Sequence, residues 1–194
     1  MSEVPMVLPP YEIEAAAGGK LKVVIRPCEV QAKFMQRLRN SSFEMSQDGG
    51  FDCDVSVVVP PAQPGDVIVG LEEWHVWLCG AWPLVSIKGA DPCERPPISF
   101  EQFAKYERLE GWQPAATMPP EFARFRWTVD RVECKRLRSI EPDDLSAGGL
   151  MTLDSVDDFY EGTPEPARGN WDAAFPAYPW ENDPWVFMHW LGGE

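Results

Sequence analysis

Twenty prolines in 194 residues set the first limit on what this chain can fold into. Proline fixes φ and lacks an N–H donor, so it breaks helix interiors and central strands and gathers at turns and strand ends. The stretch Pro60-Pro61-Ala62-Gln63-Pro64-Gly65-Asp66 reads as a rigid turn, 89–98 as a proline-rich loop, and 162–184 as a long loop rich in proline, tryptophan and acid. A helical bundle does not fit this punctuation, whereas short strands with long connections do. Nine tryptophans and 44% hydrophobic residues supply a core of ordinary globular size.

Between the breaks, the pattern changes from segment to segment. Residues 1–19 read as a flexible N-terminal arm ending in Gly18-Gly19, followed by a single domain over 20–194. Leu21 to Ile25 is a strand with a buried centre. Val30, Phe34 and Leu38 recur every four residues and predict a short helix over 28–39. Asn40 to Gly50 is polar and predicts a loop. Val55, Val57 and Val59 alternate as a strand, and Val67 to Val69 open another. Val76 to Cys79 and Leu84 to Ile87 predict a hairpin around Gly80-Ala81-Trp82-Pro83. Ser99 with Gln102 forms a capping-box pattern ahead of Phe103, Tyr106 and Leu109 at helical spacing. Phe125, Trp127 and Val129 alternate, then the phase slips to Val132 and Cys134, which predicts a β-bulge or sharp bend. Pro142 to Ala147 and Asp154 to Tyr160 predict short helices, and Trp185 to Met188 a last strand. Strands and short helices in this irregular order predict an α+β fold, a mixed barrel with helices at its rim and long Pro/Trp-rich loops.

Charge and chemistry narrow the function classes. The net charge of −14 argues against a general grip on long nucleic acid. Twelve of the 17 basic residues nevertheless fall in two segments, Lys20 to Arg39 and Arg124 to Arg138, while Glu141 onward holds 12 acidic residues against Arg168 alone. Five cysteines with no CxxC pair fit free thiols better than a disulfide framework, and His75 and His189, with no Cys pair near either, argue against a zinc site. No metal and no cofactor are expected. The first residues lack a basic, apolar leader and no run is long enough for a membrane span, so a cytoplasmic protein is expected. GxGxxG, GxxxxGK[ST] and GxSxG are all missing.

Four pieces taken together resemble the ASCH family of PUA-like proteins, in a form common in phages and prophages. Gln63-Pro64-Gly65-Asp66 followed by Glu72-Glu73-Trp74 is similar to its "PGD…E-x-W" element. Gly111-Trp112-Gln113-Pro114, Met118-Pro119 and Arg124 are similar to a "W-x-P…MP…R" loop. Val129 to Glu133, Arg136-Leu137, Ile140 and Asp143-Asp144 are similar to "V-x-V-x-R-L-x-x-I-x-x-x-D". Trp180 to Phe187 is similar to a C-terminal "W…NPWVW" strand.

The resemblance implies a PUA-like barrel with a cleft for a nucleobase or short single-stranded nucleic acid. Enzymatic members hydrolyse N4-acetylated cytidine or cleave RNA with a Lys-Thr-x-Thr motif and a glutamate. Here Arg39-Asn40-Ser41-Ser42 occupies the motif and Glu72, with Glu73 beside it, the glutamate position. The implied catalytic set is Glu72, Arg39 and Ser42, and the implied substrate-binding set is Asn40, Trp74, Trp112 and Arg124. Arginine stays protonated and cannot serve as a base, so two roles stay open: Arg39 as an oxyanion or phosphate holder with Glu72 activating water, or Arg39 and Glu72 as a structural ion pair across the cleft mouth. Trp74, Trp77, Trp82 and Trp112 offer stacking faces near that cleft. Two functions stay open: a nucleoside or nucleic-acid-binding protein with amidohydrolase activity on an N4-acylated cytosine, and a phage accessory protein without catalysis that binds a basic host protein through an acidic, aromatic surface.

Overall fold

Hydrogen-bonded strands dominate the computed structural model, which describes residues 1–29, 34–37, 43–46, 56–90, 98–151 and 165–192. The strands are β1 (Glu3–Val7), β2 (Val23–Pro27), β3 (Phe34–Arg37), β4 (Phe43–Ser46), β5 (Ser56–Val58), β6 (Val67–Leu71), β7 (Trp74–Cys79), β8 (Trp82–Ile87), β9 (Phe125–Arg136) and β10 (Trp185–Leu191). Four helices join them among the described residues: α1 (Pro10–Ala17), α2 (Phe100–Tyr106), α3 (Pro142–Ala147) and α4 (Glu165–Ala174). The fold is α+β, with a five-stranded sheet in the order β1-β6-β9-β10-β2, a three-stranded sheet β3-β4-β5 and the hairpin β7-β8.

The chain divides into two compact units: Met1–Val4, Pro9–Val67 and Trp127–Glu194 form the first, Pro5–Leu8 and Ile68–Arg126 the second. In the first unit β10 lies between β9 and β2, antiparallel to both. Val186 to His189 are all buried, and because successive side chains alternate between faces, both faces of this strand are covered. Val23, Ile25, Val186 and Met188 pack with Leu145 and Trp171 into one apolar core. Glycine is required where α1 meets the turn after α3. Gly149 has φ +73, and a Cβ there would lie 2.8 Å from the Tyr11 carbonyl oxygen. The core of the second unit contains Ile68, Val69, Trp74, Val85 and Phe122.

The phase slip in β9 is a bulge. Trp190 pairs with Arg131 and Leu191 with Val129, leaving Asp130 as the extra residue. The hairpin forms with the registers Trp74↔Ile87 to Cys79↔Trp82, and both halves of the Ser99–Gln102 capping box are made. The helix expected over Pro142 to Ala147 is present as α3, and the last strand runs on from Met188 to Leu191.

Four expectations are corrected. Residues 1–19 form β1 and α1 instead of an arm, because α1 buries Tyr11 and Glu12. The helix expected over 28–39 gives way to strand β3 at Phe34–Arg37, antiparallel to β4. Residues four apart share a face in a strand as well as in a helix, so the spacing of Val30, Phe34 and Leu38 does not decide between them. The loop expected over Asn40 to Gly50 contains β4, a four-residue strand too short to stand out from its polar neighbours. The loop expected over 162–184 contains α4, which buries Ala167 and Trp171 and carries Pro166 in its first turn, where proline is tolerated. The helix expected at Asp154 to Tyr160 lies outside the described residues.

Candidate functional site

Glu72 follows β6 directly and is buried in the second unit. A carboxylate in that position is tolerated only with a matched partner. Arg124, one residue before β9, supplies it: Nε donates to Oε2 and an Nη donates to Oε1, both at 2.9 Å. This fork-to-fork pairing fits the planar guanidinium. The guanidinium also lies over the Phe125 ring, 4.4 Å from its centroid. The Glu72 backbone N–H donates to the Met118 sulfur at 3.2 Å.

Two residues on, Trp74 opens β7 and turns inward. It is almost fully buried, edge-on to Tyr106 at 5.3 Å and tilted against Phe122 at 5.7 Å. Its indole N–H donates to Thr117 Oγ1 at 3.2 Å. On the main chain, Trp74 bridges to Gln113, whose N–H donates to the Trp74 carbonyl at 2.7 Å. That bridge fixes the 110–114 loop, in which Gly111 adopts φ +69. Gln113 shares the inward face with Trp74, so Trp112 comes out on the opposite face. It is 51% exposed, with its ring 6.1 Å from that of His75.

The structure therefore brings together Glu72 and Arg124 by direct contact, and Trp74 and Trp112 through the Gln113 bridge. Arg39, Asn40 and Ser42 lie outside the described residues. Glu73, the neighbouring alternative, points away and pairs with Lys88 across the hairpin base. His75 and Met118 were not among the site residues expected from the sequence, although Met118 stands in the Met118-Pro119 motif. His75 was legible in principle, because it alternates with Trp74 in a strand and so had to face the other way.

A second group of buried polar side chains lies in the first unit. Arg26 of β2 clamps Glu12 of α1 with contacts of 2.6 and 2.8 Å. Burial raises the Glu12 pKa, against the attraction of Arg26. His189 Nδ1 lies 3.2 Å from the Val24 carbonyl oxygen. Burial lowers its pKa to about 4, with a further push from Arg26, so the ring is neutral near pH 7. Burial pushes the Cys28 thiol up to about 12, which makes it a poor nucleophile. Among the described residues no group of three or more His, Cys, Asp or Glu side chains is placed to hold a metal, and no helix is long and apolar enough to cross a membrane.

Both Glu72 oxygens accept from Arg124, which fixes the carboxylate and binds it to an immobile cation. Such a pair suits a structural floor better than a base that must take up and release a proton. The exposed indole of Trp112 offers a flat apolar face with an imidazole beside it. A search of protein-family models, curated proteins and solved structures finds no match to this chain.

Proposed function

We propose that the protein is an ASCH-like, PUA-like-barrel binding protein for a nucleobase, presented as a nucleoside or within a short single strand. The observation that carries this reading is Trp112, half-exposed beside His75 and anchored through Gln113 to the strand that follows Glu72. Stacking on an aromatic face is worth about 1–3 kcal/mol per base and tolerates any base. His75 adds a ring nitrogen for a base edge. Glu72 and Arg124 hold the start of β7 and the start of β9 in place.

The geometry favours binding over hydrolysis of an N4-acylated cytosine, because Glu72 is buried and bidentate to Arg124. The charge distribution weighs against capture of a basic protein through a surface both acidic and aromatic. The second unit, which carries the exposed Trp82 and Trp112, holds eight acidic and six basic residues, a net of −2 out of the chain's −14.

Thermal-shift titration with cytidine, N4-acetylcytidine, other nucleosides and nucleotides tests the reading. A melting shift that disappears in Trp112→Ala and is partly kept in Trp112→Phe supports it. The absence of a shift with every nucleoside and nucleotide overturns it.

A further inference from the structure

The hairpin β7-β8 is amphipathic in an unusual sense. Trp74, Val76, Val85 and Ile87 form its inner face and are buried. By alternation the outer face carries the paired rows His75↔Ser86, Trp77↔Leu84 and Cys79↔Trp82. Cys79 is exposed, Trp82 is 73% exposed, and the other four are half-buried. Trp112 extends this face at its His75 end. Trp77 is held in place by its indole N–H, which donates to Ser86 Oγ at 2.7 Å across the diagonal.

No Asp, Glu, Lys or Arg occurs from Trp74 to Ile87, in a chain that is 25% charged. The adjoining charges, Glu73 and Lys88, neutralise one another in an ion pair. An exposed sheet face normally alternates apolar-in with polar or charged-out. Here the outward positions are aromatic, apolar or small.

We infer that this face is a stacking platform for an extended single-stranded nucleic acid, its bases lying between the exposed indoles of Trp112 and Trp82 at the two ends of the face. The inference rests on the nucleobase reading of Trp112 and extends that site along the strand. Successive outward residues on a strand are about 6.8 Å apart, and the path from the His75 row to the Cys79 row is about 14 Å. That spacing suits an extended strand of three or four nucleotides. The charge pattern agrees with such a ligand. With no carboxylate on the hairpin, nothing there repels phosphate, and with no lysine or arginine, almost all the affinity comes from the bases. Binding should therefore depend weakly on salt, unlike recognition that releases counterions from a basic surface.

Fluorescence anisotropy with a labelled octauridylate, competed by unlabelled oligouridylates from dimer to octamer, tests this on the full chain. Affinity should rise with length up to about the tetramer and then level off. Trp82→Ala, a change at an exposed hairpin tip, should weaken octamer binding about five- to 150-fold and leave the mononucleoside thermal shift unchanged. Ala81→Lys, in the adjacent turn, should tighten the octamer and introduce a salt dependence, and Ala81→Glu should weaken it. Mononucleoside binding with no gain from length overturns the platform and leaves the nucleobase reading intact. Loss of both signals overturns both. Concentration-dependent dimerisation that Trp82→Ala abolishes, with no octamer bound, assigns the face to a second copy of this chain and overturns the platform.

Discussion

At the residue scale, the strongest local commitment is the Glu72–Arg124 pair. Removing Arg124 takes both donors from the buried Glu72 carboxylate, so Arg124→Ala should cost about 3–5 kcal/mol in urea unfolding. Replacing both, as Glu72→Leu with Arg124→Met, should restore most of that loss. A single variant that loses less than 1 kcal/mol would show the pair to be dispensable. Glu72, Trp112 and Arg124 were legible through their spacing in a recognisable run of motifs. That Glu72 and Arg124 meet was not, because 52 residues separate them and only the return of the chain to the start of β9 makes the contact. His189 makes a second prediction. Its folded pKa of about 4 lies below the usual 6.5, so the fold favours the neutral ring. Its contribution is full above pH 6.5 and is lost as pH falls toward 4, the loss reaching about 2 kcal/mol at pH 5. His189→Gln, which keeps an N–H for the Val24 carbonyl, should flatten the stability profile between pH 7 and pH 5. An unchanged profile would contradict the burial of the ring.

Elements were legible where the period was unambiguous. The β7-β8 hairpin and α2 with its capping box are local structures whose signals lie within a dozen residues. The bulge in β9 was legible too, as one residue too many in an alternating pattern. Segments such as Phe34–Arg37 and Phe43–Ser46 were not, since three or four residues carry no period of their own and their identity comes from pairing with each other. The bulge can be tested directly. Asp130→Ala changes an exposed side chain and should shift stability by less than about 0.5 kcal/mol. Deleting Asp130 removes the extra residue and turns one end of β9 over, sending buried Val129 or Val132 to the wrong face. The deletion variant should fail to give a cooperative unfolding transition, and a native-like transition would mean that the bulge does not set the register.

For the whole molecule, composition indicated a strand-rich fold with long connections, and the α+β architecture agrees. The order of strands was beyond sequence reading, because it is decided by contacts between distant segments. The net charge of −14 has a collective consequence, since like charges on a folded chain repel. Raising salt from about 0.01 M to about 0.15 M shortens the screening length from about 30 Å to about 8 Å. The melting temperature should therefore rise over that range, and a constant or falling value would mean that local pairing already offsets the repulsion. The strand order also governs the sequence of events during synthesis. β2 is made early, yet its partner in the sheet is β10, with Val24 and His189 165 residues apart. Until the ribosome has added those residues, an apolar strand carrying Val23, Val24 and Ile25 has no native ladder to join. Throughout that interval, the nascent chain has to keep that segment from pairing with a neighbouring copy on the same message.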